Sequence, residues 1–392
     1  MTVFKKKTEL AKGVFWPSYL IGIAVIVLGI ANQKLFGSIL DAGLNWVSDN
    51  FGWWLVLFAL ILVLLVFGLA FSKAGDVVIG GAGAKPEYTM WQWFSMSLKG
   101  GIGTGILFWA MGEPIFHMAA PPAAAGAQPF TREAGLFAIS QTMLHWTIAQ
   151  YAMYSLCAVG VALMAYNRRR TISVSSIFEP YLSSSVYGVV KTVVPMVSLF
   201  CIVGALACSM AVGLMQINSG LNFFFGLPID GVTVFAIAAI MVTAYVVSCL
   251  TGIKKGMRVL SSFCTIVFIG LMVYVLCLGP TRFIVDAGTE SLGVFFNRFF
   301  EHSVILPTMA ENETWSKSWI IMFMASFFVY APIIGLFLAR LGKGRTVREF
   351  IFMNIGAPTL FCIVWIAIWG GTTVWLQYTG IMDVWQSVNE KG

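Results

Sequence analysis

The chain has 392 residues, 59% of them hydrophobic and 10% charged, whereas a soluble domain carries charge on about a quarter of its residues. That balance excludes a soluble globular domain and predicts a polytopic helical membrane protein, because apolar runs matching the ~20 residues that cross a bilayer recur throughout. The net charge of +7 does not signal a nucleic-acid partner, since its lysines and arginines gather in alternate loops.

In chain order, spans are predicted at 15–32, 53–72, 91–117, 134–166, 187–217, 232–252, 258–279, 318–340 and 350–379. The first run lacks a small-residue cleavage site and reads as a span rather than a signal peptide. Basic residues cluster at Lys5, Lys6, Lys7 and Lys12, at Lys73 and Lys85, at Arg168, Arg169 and Arg170, at Lys254, Lys255 and Arg258, and from Arg340 to Arg348. All of these fall on one side of the nine spans. By the positive-inside rule that side is cytoplasmic, and so is the N-terminus.

The third span holds "KGGIGTGILFWAMGEP" from Lys99 to Pro114. Each glycine disfavours helix by about 0.8–1 kcal/mol relative to alanine, so local unwinding there is one reading. Unwound backbone in a bilayer must be buried in protein or line a wet cavity. Close helix packing is the other reading, since Gly101 and Gly105 have the G-x-x-x-G spacing. Lys99 favours a functional role, because an uncompensated ammonium deep in a bilayer costs several kcal/mol. Glu113 lies 14 residues further on, roughly 21 Å along a continuous helix and out of the lysine's reach.

In the fourth span, "LHWTIAQYAMY" sets Trp146 and Tyr154 eight residues apart, on nearly one helix face. In the eighth, "FMASFFVY" places Phe327 and Tyr330 three apart. Such rings either pack a core or form a cage for a quaternary ammonium group. Between the seventh and eighth spans, Leu292, Phe295, Phe296, Phe299 and Phe300 recur at helical spacing in a segment too short and polar to cross. It is predicted to lie along the outer interface. The seven cysteines sit in apolar runs without C-x-x-C pairs, as packing residues do. His117, His145 and His302 are far apart in sequence, so no metal cluster is expected. Without paired intramembrane carboxylates or a nucleophile–base pattern, no enzyme is expected either.

These motifs carry a resemblance. "GIGTGILFWAMGEPIFHMAAPP", "LHWTIAQYAMY" and "FLARLGKGRTVREF" are similar to the third helix, the fourth helix and the cytoplasmic loop after the eighth helix of the betaine/carnitine/choline transporter (BCCT) family, and the likeness runs the length of the chain. It implies an all-α LeuT-type inverted-repeat transporter fold. The expected division is two leading helices (1–90), a first five-helix repeat with a broken third helix (91–280), an external amphipathic helix and loop (281–316), and the first two helices of a second repeat (317–392).

The resemblance implies a small trimethylammonium-type substrate carried by alternating access in the inner or plasma membrane, and assembly as a homotrimer. It places Trp146 and Tyr154 against the substrate's ammonium, with Ser326, Phe327 and Tyr330 where the family sets a tryptophan-rich box. Met324 and Ser326 depart from that box, which suits a different or less methylated ligand, one whose polar group hydrogen-bonds Ser326. For ions it implies carbonyls around Gly100, Gly101, Ile102, Gly103 and Gly105, and a second site near Ser209. No cofactor is expected. Lys99 stands where the family has a small residue and could occupy a cation's place, and Ala205 and Leu206 replace an expected hydroxyl, so sodium coupling is doubtful. The family has twelve spans against nine here. The expectation is therefore of an incomplete second repeat, with a truncated, non-transporting binding protein or sensor as the alternative reading.

Overall fold

The computed structural model describes residues 11–101, 105–250, 258–308 and 314–391. The described residues are helical apart from loops and one isolated bridge between Val78 and Thr346. The helices are α1 (Lys12–Ala31), α2 (Gln33–Phe71), α3 (Met90–Gly101), α4 (Gly105–Ala119), α5 (Arg132–His145), α6 (Ile148–Ala162), α7 (Ser184–Phe225), α8 (Gly231–Leu250), α9 (Arg258–Leu278), α10 (Thr281–Asn297), α11 (Phe299–Ser303), α12 (Met322–Ala339), α13 (Val347–Ile351), α14 (Ala357–Tyr378) and α15 (Val384–Lys391).

Local chemistry explains the ends. Asn32 separates α1 from α2 and caps the latter, its side-chain oxygen accepting the Leu35 N–H at 3.0 Å. α4 stops before Pro121 and Pro122, which cannot extend it. Thr131 caps α5 through the Ala134 N–H, and Gly226, left-handed at φ +67°, ends α7. A capping box between Thr346 and Glu349 starts α13.

Among the described residues, eight helical stretches are long and apolar enough to cross a membrane. The predicted third span is absent from that count because it is described as two shorter helices, α3 and α4. Ile102 and Gly103, where the sequence locates the unwinding, lie outside the described residues. The predicted fourth span is present as one long apolar stretch, Arg132–Asn167, but its helix is interrupted at Trp146 and Thr147, the latter at φ −124°, ψ −116°, so α5 and α6 are two helices. The segment expected to lie along the outer interface is helical, as α10 and α11. Of its predicted apolar stripe Phe295 is buried, while Phe296 and Phe300 are exposed.

Burial separates an inner group from an outer one. In the most apolar stretches, 61% of α5–α6 and 56% of α13–α14 is buried, against 6% of α1 and 6% of α8. The outer helices keep apolar faces for lipid. Within the inner group α6 and α12 approach closely at Gly335, where a Cβ would stand 2.6 Å from the Cys157 sulfur.

At the end carrying the basic clusters, the α2–α3 and α12–α13 loops form a clasp. The Ile79 N–H donates to the Arg345 carbonyl at 2.9 Å, the Gly344 N–H to the Ile79 carbonyl at 2.8 Å, and the Val347 N–H to the Val77 carbonyl at 2.9 Å. Asn167, just past α6, joins by accepting from the Gly80 N–H and donating to the Val78 carbonyl. Arg348 donates to the Ala70 carbonyl at the end of α2.

Candidate functional site

The joint between α5 and α6 is the centre of the buried polar chemistry. Glu113 on α4 is fully buried, as are His117 one turn on and His145 at the end of α5. One carboxylate oxygen of Glu113 lies 3.0 Å from His117 Nε2 and 2.5 Å from His145 Nδ1. The other accepts the Trp146 indole N–H at 2.8 Å. The expectation that the histidines stay apart is thus corrected for two of the three: α4 and α5 pack side by side and bring 28 residues of sequence separation down to one shared partner.

The neighbours assign the protons. The Trp315 indole, which can only donate, gives its N–H to His117 Nδ1 at 3.1 Å, so the His117 proton is on Nε2 and faces Glu113. The Gln141 amide nitrogen lies 2.9 Å from His145 Nε2 and, as donor, leaves the His145 proton on Nδ1, again facing Glu113. The three residues bring ligand atoms within 4.8 Å of one another, yet the donor set does not fit a metal ion. A metal on His117 Nε2 would leave an imidazole whose other nitrogen is committed as an acceptor, whereas ligating histidines donate from that nitrogen. The cluster is a carboxylate held by three N–H groups.

Next to it runs a chain of aromatic rings. Trp146 meets Phe323 edge to face at 5.3 Å, Phe323 meets Phe327 at 5.8 Å, and Phe327 meets Tyr154 edge to face at 6.4 Å. The structure therefore joins three predicted cage residues, although the break at Thr147 removes the continuous helix face from which the sequence paired Trp146 with Tyr154. Phe323, missing from the prediction, completes the chain. Its signal was its place four residues before Phe327. The Trp146 ring lies in the notch left by Gly105, where a Cβ would stand 2.8 Å from it.

Tyr330 is turned elsewhere. Its hydroxyl donates to the Ala205 carbonyl at 2.9 Å and, its one proton spent, accepts from Ser209 Oγ at 2.7 Å. Ser326 is half-buried one turn before it. Gly100 receives the Phe337 ring, 3.2 Å from the position of a Cβ. Lys99 points toward α9, its ammonium 3.3 Å from the Phe268 ring centroid. That nitrogen is buried with no hydrogen-bond partner among the described residues. Lys99 thus meets α9 and Ser209 meets α12, while Glu113 is engaged by His117, His145 and Trp146.

A separate cavity of about 550 Å³ opens beneath α10 and α11, lined by Glu133, Phe137, Glu290, Asn297, Arg298 and His302. Burial drives the His302 imidazole down to about 4, so it is neutral at pH 7.

Residues 13–392 match the BCCT family, described as betaine/carnitine/choline family transporter. A glycine betaine transporter of Bacillus subtilis (strain 168) is 28% identical over 372 residues, 95% of this chain and 72% of the relative. An ectoine/hydroxyectoine transporter of Virgibacillus pantothenticus is 27% identical over 384 residues, covering 98% and 76% of the two chains. An osmo-dependent choline transporter of Acinetobacter baylyi (strain ATCC 33305 / BD413 / ADP1) is 29% identical over 370 residues, covering 94% and 53%.

Proposed function

Because the chain belongs to the BCCT family of betaine/carnitine/choline transporters, we propose that it carries a small trimethylammonium-type osmolyte across the cell membrane by alternating access, in a LeuT-type arrangement. It is a transporter and not an enzyme, with a multi-pass helical fold. The observation that carries the substrate class is the aromatic chain Trp146–Phe323–Phe327–Tyr154, which spans α12 and both sides of the α5–α6 joint. Aromatic faces attract quaternary ammonium groups through the ring quadrupole, and a helix break at membrane depth is where carriers of this kind place substrate. In this reading Trp146, Phe327 and Tyr154 receive the ammonium, while Ser326 and Tyr330 lie on the neighbouring face of α12, Tyr330 held to α7. The alternating basic loops support a cytoplasmic N-terminus, and the family resemblance supports a homotrimer.

Proteoliposomes holding the purified protein test the reading with radiolabelled glycine betaine, carnitine, choline and an unmethylated amine. Saturable uptake of at least one methylated compound, with the unmethylated amine left outside, is the expected result. Uptake of none of the three would overturn the assignment.

We further infer that Lys99 stands in for a transported cation. What supports this is a buried ammonium held against Phe268 without a hydrogen-bond partner among the described residues, an arrangement that keeps a fixed positive charge at membrane depth. The Gly100–Gly105 segment and Ser209 remain the proposed ion-coordinating positions. Lys99→Ala should create or strengthen sodium dependence, raising flux at saturating sodium by several-fold over sodium-free buffer. A flat response of this variant across a sodium titration would remove the inference.

A further inference from the structure

The Glu113 knot is not accounted for by a cage of aromatic rings. It places a carboxylate, fully buried, at the inner end of the ring chain, with every surrounding donor already assigned. Two of those donors, His117 and His145, are themselves fixed in tautomer by Trp315 and Gln141. The third is the indole of Trp146, which stands at the joint where α5 ends and whose N–H is bonded to this carboxylate. The histidines therefore hold the carboxylate, and the carboxylate holds the tryptophan.

We propose that Glu113 is a positioning residue for cation recognition: its carboxylate grips the Trp146 N–H, fixes the ring over Gly105, and enriches the π face for a trimethylammonium group. Hydrogen bonds to an ionised acceptor are about twice as strong as neutral ones, and they act at greater strength in a water-poor interior. An indole donating to an anion gains electron density in its ring, and attraction of a cation to the ring face grows with that density. The Glu113 charge also attracts a cation directly across the indole. The cage thus needs fewer tryptophans, because the one at Trp146 is polarised. The proposal rests on the reading that Trp146 meets the substrate's ammonium.

The test separates charge recognition from shape. Choline and its neutral carbon isostere, 3,3-dimethylbutan-1-ol, serve as competing inhibitors of glycine betaine uptake in proteoliposomes, with KM and kcat measured for betaine. Glu113→Gln keeps the side chain's shape and removes its charge. It should weaken choline and raise the betaine KM by about tenfold, with kcat and inhibition by the neutral alcohol changed by less than about twofold. Equal weakening of both probes, or a fall in kcat alone, would mean a merely structural role and overturn the proposal. Should Glu113→Gln not fold, Trp146 replaced by its benzothiophene isostere keeps the bicyclic ring and deletes only the N–H. The same selective loss is expected, and undiminished preference for choline over the alcohol overturns the proposal. Trp146→Ala distinguishes the two levels. If it weakens choline while Glu113→Gln does not, the positioning role alone is wrong; if it leaves choline unchanged, the underlying reading fails and the proposal with it.

Discussion

Gly105→Val is expected to reduce uptake by at least about tenfold, a loss of ~1.4 kcal/mol or more at the rate-limiting barrier. A side chain at this position starts with a Cβ 2.8 Å from the Trp146 ring, inside the distance at which carbon atoms repel. The ring has nowhere to retreat. Phe323 closes one side at 5.3 Å, and moving away stretches the 2.8 Å hydrogen bond to the buried Glu113 carboxylate. Overpacking of a filled interior costs about 1–3 kcal/mol, and here the displaced group is the proposed substrate contact. Initial uptake rates of the wild-type, Gly105→Ala and Gly105→Val proteins, at matched amounts of folded protein, check the argument. Wild-type rates in the valine variant would show that the ring leaves the notch freely.

Gly344→Val should produce the largest stability loss among single changes in the clasp. Gly344 has φ +79°, and a Cβ there would overlap the backbone at the Lys85–Pro86 junction, standing 2.6 Å from the Lys85 carbonyl oxygen. The left-handed conformation alone costs an L-residue about 1–2 kcal/mol, more for a β-branched one, and backbone cannot move aside as a flexible side chain can. The Gly344 N–H bond to Ile79 is lost if the loop shifts to relieve the overlap. A drop in the apparent melting temperature of the detergent-solubilised protein is the readout. Gly81→Ala supplies the comparison: Gly81 also has positive φ, +89°, but an added Cβ meets nothing within 4 Å. It should lose only the conformational share. Equal shifts in the two variants would mean that the close approach at Gly344 is unimportant.

Long apolar runs and the helical spacing of apolar residues from Leu292 to Phe300 made most helices legible in the sequence, because lipid imposes length and interfaces impose spacing. The break at Thr147 was not, since "LHWTIAQ" contains neither glycine nor proline to announce it. Glu113 and His117 are four apart on α4, a spacing that places them on one face, but weighing histidines by sequence separation alone hid their meeting with His145. That meeting depends on how α4 lies against α5, which no local pattern encodes. The aromatic residues of the eighth span were visible as a stripe. That Phe323 would bridge to Trp146 while Tyr330 turned to α7 depends on the rotation of α12, again a tertiary choice. Lys99 was recognisable as anomalous from its depth, but its destination, the Phe268 ring, was not.

The Tyr330 hydroxyl has a mechanical consequence. Its two partners, Ala205 and Ser209, are successive turns of α7, so the phenol is a pin set into that helix from α12. Swivelling of α12 about the pin preserves both bonds, whereas a slide along α7 would strand a phenol in hydrocarbon at a cost of about 1–3 kcal/mol. Relative motion of these two helices is therefore a hinge with its axis at Tyr330, and the residues of α12 furthest from that axis sweep the widest arc.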